Sequence, residues 1–294
     1  MQVLRMFLVL VLLGLTGLFR QADTGLVNPG QAAAAEVSAD GFNWSSYARL
    51  LRIYTDGRGL VNYRRLADDR EILDNVVADL GAVPVREFSS WDDQSRMAFL
   101  INAYNLFTIR AVVDNYPIKR RLLMGLLYPA NSIRQIAGVW DELRFQLLGS
   151  EVTLDQIEHD LLLGGFNQPR VHMALARASR SCPRLRGEPY TGGQLDSLLE
   201  HQTRGFLADP GNFAIDPEKK TVSLSPIFKT YGEDFLRRYA SQAQAMGLSA
   251  AELAVMNFVS RYVSQQDQRF INSGGYQLEY LDYDWSLNEL EDAR

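Results

Sequence analysis

The apolar positions recur at helical spacing along most of the chain. They predict helices over Asn43–Tyr54, which carries Trp44, Tyr47, Leu50 and Leu51, and over Arg70–Leu80, which carries Ile72, Leu73, Val76, Val77 and Leu80. Between Ser95 and Tyr116 apolar side chains occur on nearly every side, so a central buried helix is expected there, ended by Pro117. Thr153 and Gln156 have the spacing of a capping box, opening a helix through Leu163 that Gly164-Gly165 stops. Further helices are expected over Pro169–Ser179, Gln194–Leu207, Glu233–Ala243 and Ser249–Ser264. Weak alternation about Gly149 between Val139 and Val152 reads as strand, as do the pair Asn212–Ile215 and Thr221–Leu224 and the segment Gln277–Leu281. The fold class that follows is α+β, a helix-dominated single domain with a small, mainly antiparallel sheet.

The amino-terminal pattern differs. Arg5 precedes an apolar run from Met6 to Phe19, shorter than the roughly 20 residues needed to span a bilayer core. It fits the core of a secretory signal peptide, and Ala33 and Ala35 supply a small-x-small cleavage site. Residues 1–35 are therefore expected to be a signal peptide, with retention as an anchor as the alternative, and residues 36–294 a single globular domain. The expected location is periplasmic or secreted, with no stable membrane span after cleavage. No cysteine follows the run, which excludes a lipid-modified amino terminus. The net charge of −5, with 47% hydrophobic and 22% charged residues, excludes a disordered chain or a coiled coil. Nor is there the basic excess of a general nucleic-acid binder. One cysteine, Cys182, stands in a chain bound for a disulfide-forming compartment.

No phosphate loop, dinucleotide fingerprint, nucleophile elbow or zinc-protease motif is present. What remains is polar residues in apolar surroundings. Asn102 and Asn105 lie three apart on the buried helix, with Tyr104 on another face. A buried amide costs about 1–3 kcal/mol unless bonded, so the two either tie down neighbouring backbone or orient a catalytic group. His159, beside Glu158, lies off the apolar stripe of its helix, and His172 and His201 complete the histidines. Cys182 follows Arg177 and Arg180 and precedes Arg184 and Arg186. That much positive charge is expected to lower the thiol pKa, unless the cysteine is simply buried. The same arginines could receive a carboxylate or phosphate.

These stretches carry a family resemblance. MAFLINAYNLFTIRAVVDNYPIK, VTLDQIEHDLL, RVHMALARASRSCPRLRGEPYT, LSPIFKTYGEDF and YLDYDWSLN occur in order over about Trp91 to Asn288. Together they resemble the domain-of-unknown-function 547 family. The resemblance implies a helix-rich domain, found in bacterial envelope proteins and in plant and animal multidomain proteins, and brings no established reaction. The matching positions are Asn102, Tyr104, Asn105, Glu158, His159, His172, Ser181, Cys182, Pro183 and Tyr283-Asp284-Trp285. Members often carry a second cysteine where Arg177 stands, which leaves this chain a single-thiol role.

Three readings stay open. The first is a ligand-binding or scaffolding domain for a small molecule or peptide. Its pocket would draw on Arg177, Arg180, Arg184, Arg186, Tyr104, Tyr283, Asp284 and Trp285, with no cofactor and no nucleic acid. The second is a thiol-dependent hydrolase or acyltransferase. Cys182 would be its nucleophile, His159 or His172 its base, and Asn102 or Asn105 the orienting amide beside Glu158. The third is a metal site built from Glu158, His159, His172 and Cys182.

Overall fold

The computed structural model describes residues 41–240 and 247–290. The signal-peptide expectation for residues 1–35 lies outside them. The first helices are α1 (Ser45–Tyr54), α2 (Tyr63–Asp68), α3 (Glu71–Gly81) and α4 (Val85–Ser90). They surround α5 (Asp93–Asp114), which Asp92 opens by accepting a hydrogen bond from the Ser95 N–H. Its side chains are buried along almost its whole length, as a helix apolar on every side must be. Short helices α2 and α4 were not expected; each is held by packing on a neighbour rather than by a long apolar stripe.

A one-turn helix α6 (Met124–Leu127) and a 3-10 turn at Ile133–Gln135 lead into the hairpin β1 (Phe145–Leu147) and β2 (Ser150–Val152). Phe145 pairs with Val152, and the two-residue turn places Leu148 and Gly149 at positive φ, as a tight hairpin requires. The expected capping box is present: Thr153 N–H donates to Gln156 Oε1 and Gln156 N–H to Thr153 Oγ1. The helix it opens is π-helical over Gln156–Leu163, and Gly164 N–H reaches the His159 carbonyl five residues back.

The helix expected over Pro169–Ser179 is not formed. A 3-10 turn covers only Pro169–Met173, because Asn105 takes the backbone groups that a helix would need. Its Nδ2 donates to the Ala174 carbonyl and its Oδ1 accepts from the Ala176 N–H. Beyond, the chain pairs with the tail: Arg180 N–H donates to the Ser286 carbonyl and Asn288 N–H to that of Ala178.

Helix α7 (Leu195–Leu207) precedes a three-stranded sheet of β3 (Phe213–Asp216), β4 (Thr221–Leu224) and β5 (Gln277–Tyr280), in that spatial order. β3 runs antiparallel to β4 and β5 parallel to it. Between β4 and β5 come α8 (Pro226–Thr230), α9 (Gly232–Tyr239), α10 (Ala250–Val259) and α11 (Gln265–Ser273). The helix expected over Ser249–Ser264 stops at Val259, and α11 is an additional helix beyond it, opened by Ser264, whose Oγ accepts from the Asp267 N–H. The molecule is a helix-dominated α+β fold. No helix among the described residues is long and apolar enough to cross a membrane.

The buried apolar side chains form two clusters, one around α5 and one around α9, α10 and the three-stranded sheet. The segment from Pro169 threads between them: Val171, Ala174 and Leu175 join the first and Met173 the second, while Tyr283 packs on both. This seam is where the polar residues collect.

Candidate functional site

Glu158 comes from the π-helical turn, His172 from the 3-10 turn and Arg177 from the extended chain that Asn105 holds. All three are buried. Arg177 makes an ion pair with Glu158 Oε1. His172 lies between two carboxylates, with Nε2 3.0 Å from Asp234 Oδ2 and Nδ1 3.6 Å from Glu158 Oε1. Tyr231 stacks on the His172 ring at 4.0 Å between centroids, and the Arg177 guanidinium sits 4.9 Å from the Tyr231 ring centre on its face.

Burial alone would push the Glu158 carboxyl up, but the Arg177 charge and then His172 hold it well below its usual range. Burial also opposes the charge on Arg177, and Glu158 more than compensates, keeping the guanidinium protonated. The hydrogen bond from His172 depresses Asp234.

Beside this ion pair opens a cavity of about 250 Å³ whose lining includes Arg134, Arg177, Ile227, Tyr231, Tyr283 and Trp285. Arg134 is surrounded by rings, its guanidinium 4.1 Å from the Trp285 centroid, 4.7 Å from Trp140 and 5.3 Å from Tyr128. Four buried polar atoms here have no hydrogen-bond partner among the described residues: Arg134 Nε, Arg177 Nε, His172 Nδ1 and Tyr104 Oη. Buried polar groups are seldom left so, and these four collect at one seam.

The other candidate positions distribute as follows. Asn102 donates to the Tyr190 carbonyl (2.8 Å) and accepts from its N–H (2.9 Å), so both asparagines clamp backbone. His159 is exposed, 6.4 Å from Tyr231 between ring centroids. Asp284 is exposed and accepts from the Ser286 N–H in a turn, while Ser179 Oγ meets Tyr283 Oη at 2.9 Å. Of the four arginines singled out around Cys182 only Arg177 reaches the cavity. Arg180 is exposed, and Arg184 and Arg186 line a different hollow of about 470 Å³ with Arg52 and His201.

That dispersal reverses the expectation for the thiol. Cys182 is buried, its sulfhydryl donates to the Pro183 carbonyl at 3.3 Å, and burial pushes its pKa up. Arg177 faces Glu158 instead, and neither His159 nor His172 hydrogen-bonds the sulfur. In the native protein, iodoacetamide should therefore label Cys182 at least about a hundredfold more slowly than an unstructured cysteine peptide. A rate equal to the peptide's would contradict this burial. No three His, Cys, Asp or Glu side chains among the described residues gather where they could hold a metal ion, so the four residues weighed for a metal do not form such a set.

Arg134, Trp140, Tyr231 and Asp234 belong to the site and were not singled out in the sequence. Tyr231 and Asp234 fall within LSPIFKTYGEDF, a stretch that carried the resemblance; Arg134 had no local signal. No curated protein and no solved structure matches the chain. A family model described as "Protein of unknown function, DUF547" matches residues 88–207. That segment includes α5, Glu158, His172, Arg177 and Cys182 and stops short of the tail that supplies Tyr283 and Trp285. Residues 88–207 of this chain therefore carry a DUF547 domain.

Proposed function

We propose that the protein is a binding domain for a small organic anion, a carboxylate on a flat apolar body, received between Arg134 and Arg177. One observation carries this reading: Arg134 lines the cavity without a salt bridge among the described residues, its guanidinium set among ring faces and its charge reaching Asp155 only beyond salt-bridge distance. Arg177 and Glu158 neutralise each other, so Arg134 is the cavity's cation without a salt bridge. Ring faces offset about 0.5–2 kcal/mol of a guanidinium's desolvation, less than a charge-assisted hydrogen bond donated to a carboxylate can add. Tyr231, Tyr283, Trp285 and Ile227 suit a flat apolar body. The volume equals that of about eight liquid waters, which favours a small acid over a peptide. The amino-terminal pattern supports an envelope or extracellular location for this binding.

Benzoate and its neutral counterpart benzamide test the reading by thermal denaturation. At about one hundred times Kd a ligand stabilises by ~2.7 kcal/mol, a rise of roughly 5–10 °C for a domain of this size. Benzoate should raise Tm saturably, benzamide should not, and Arg134→Gln should abolish the rise. Equal shifts with the acid and the amide, or none with either, would overturn it.

A further inference from the structure

The segment between α5 and the 3-10 turn at Ile133 presents the most exposed apolar surface among the described residues. Leu122 is 87% exposed, Leu123 75%, Leu126 77% and Leu127 74%. They fall in two pairs four apart, so α6 and the turn before it set them on neighbouring rows of one helical face. The three residues immediately before them, Lys119, Arg120 and Arg121, are exposed as well. From Lys119 to Leu127 every residue but Gly125 is exposed, so this is a projection rather than a groove.

The projection is built, not slack. Gln135, buried at its base, accepts from the Arg121 N–H at 2.9 Å and donates to the carbonyls of Tyr128 (3.2 Å) and Pro129 (3.0 Å). One amide thereby staples the two stems together. Arg120 folds over the tip and donates to the Gly125 carbonyl at 2.7 Å, a close approach that a Cβ at Gly125 would obstruct. Folding stabilises this conformation while leaving four leucines in water, where each exposed side chain forgoes burial.

We propose that this projection inserts into the surface of an anionic phospholipid bilayer. The leucines would enter the boundary between head groups and acyl chains, and Lys119, Arg120 and Arg121 would meet the lipid phosphates. Charge complementarity selects this occupant. A bilayer offers an apolar layer beneath an anionic one, the order in which this loop places leucines at its tip and Lys119 and Arg121 at its stem, with Arg120 reaching from the stem toward the tip. Basic side chains suit that boundary because their stems can lie on apolar surface with the charge in the head-group layer. Lys119 and Arg121 also line a hollow of about 560 Å³ behind the stem, with room for a head group beside them.

The test uses the full chain, with Leu123→Cys in a Cys182→Ser background carrying an environment-sensitive fluorophore. The label reports the loop itself, whatever the amino-terminal apolar run contributes. With vesicles of phosphatidylglycerol and phosphatidylcholine its emission should shift to the blue and be quenched by bromine on the lipid chains. Phosphatidylcholine alone should produce much less. Added Leu122→Ser and Leu126→Ser should weaken vesicle affinity of the loop at least about tenfold, since each leucine's burial is worth that order. Replacing Lys119, Arg120 and Arg121 by Gln should remove the preference for anionic lipid. A label that stays in water while the protein sediments with vesicles would overturn the proposal. So would a blue shift that needs no vesicles and grows with protein concentration, which would make a second copy of this chain the occupant.

Discussion

Glu158→Gln is expected to destabilise the protein by roughly 3–5 kcal/mol, because it leaves the Arg177 guanidinium buried without its countercharge. Arg177→Met should cost a similar amount for the converse reason. The double substitution should recover much of the loss, since removing both charges also removes the desolvation that each incurs. Urea unfolding of the four proteins measures the coupling, and additive losses would show that the pair does not act as one unit. The pH dependence follows from the directions of the shifts. Glu158 and Asp234 are both depressed in the fold. Their contribution is present above the unfolded carboxylate pKa of about 4 and is lost as pH falls below it. Stability of the wild type should therefore drop steeply on acidification below about pH 4. Glu158→Gln, already less stable at neutral pH, should show a shallower acid limb.

Asn105→Ala should be the second costly change, at about 2–5 kcal/mol, since it strips partners from both the Ala174 carbonyl and the Ala176 N–H. Its effect should extend beyond stability. The segment that Asn105 holds out of a helix carries Arg177 into the cavity, so the benzoate-induced rise in Tm should shrink in the variant even after correction for its lower baseline. Asn102→Ala serves as the comparison. It frees both backbone groups of Tyr190, on a different segment, and should cost similar stability while leaving the benzoate response intact. Loss of the response in both variants would mean that the core as a whole, rather than this clamp, sustains the cavity.

The sequence was most informative where the physics is local. The all-round apolar character of Asp93–Asp114 needs no partner to be read, and the capping box at Thr153 and the turn at Gly149 are short-range chemistry. Local reading failed where a distant side chain competes for the backbone. Pro169–Ser179 has helical spacing, yet Asn105, about seventy residues away in sequence, takes the hydrogen-bonding groups. Likewise, four arginines near Cys182 in sequence implied an electropositive thiol. Irregular backbone from Ala174 onward instead sends Arg177 to Glu158, Arg180 to solvent, and Arg184 and Arg186 to another hollow.

By itself, then, the sequence determined the helix-dominated α+β class and the buried helix at its centre, and it marked the short stretches that carry the candidate residues, because periodicity and capping are properties of neighbouring residues. Only the tertiary structure decided which members of those stretches meet. It placed Arg134 and Trp285, far apart in the chain, 4.1 Å from each other, set His172 between two carboxylates and enclosed the one cysteine. Charge and burial at a point depend on what the fold brings there from remote segments, and no local pattern encodes that.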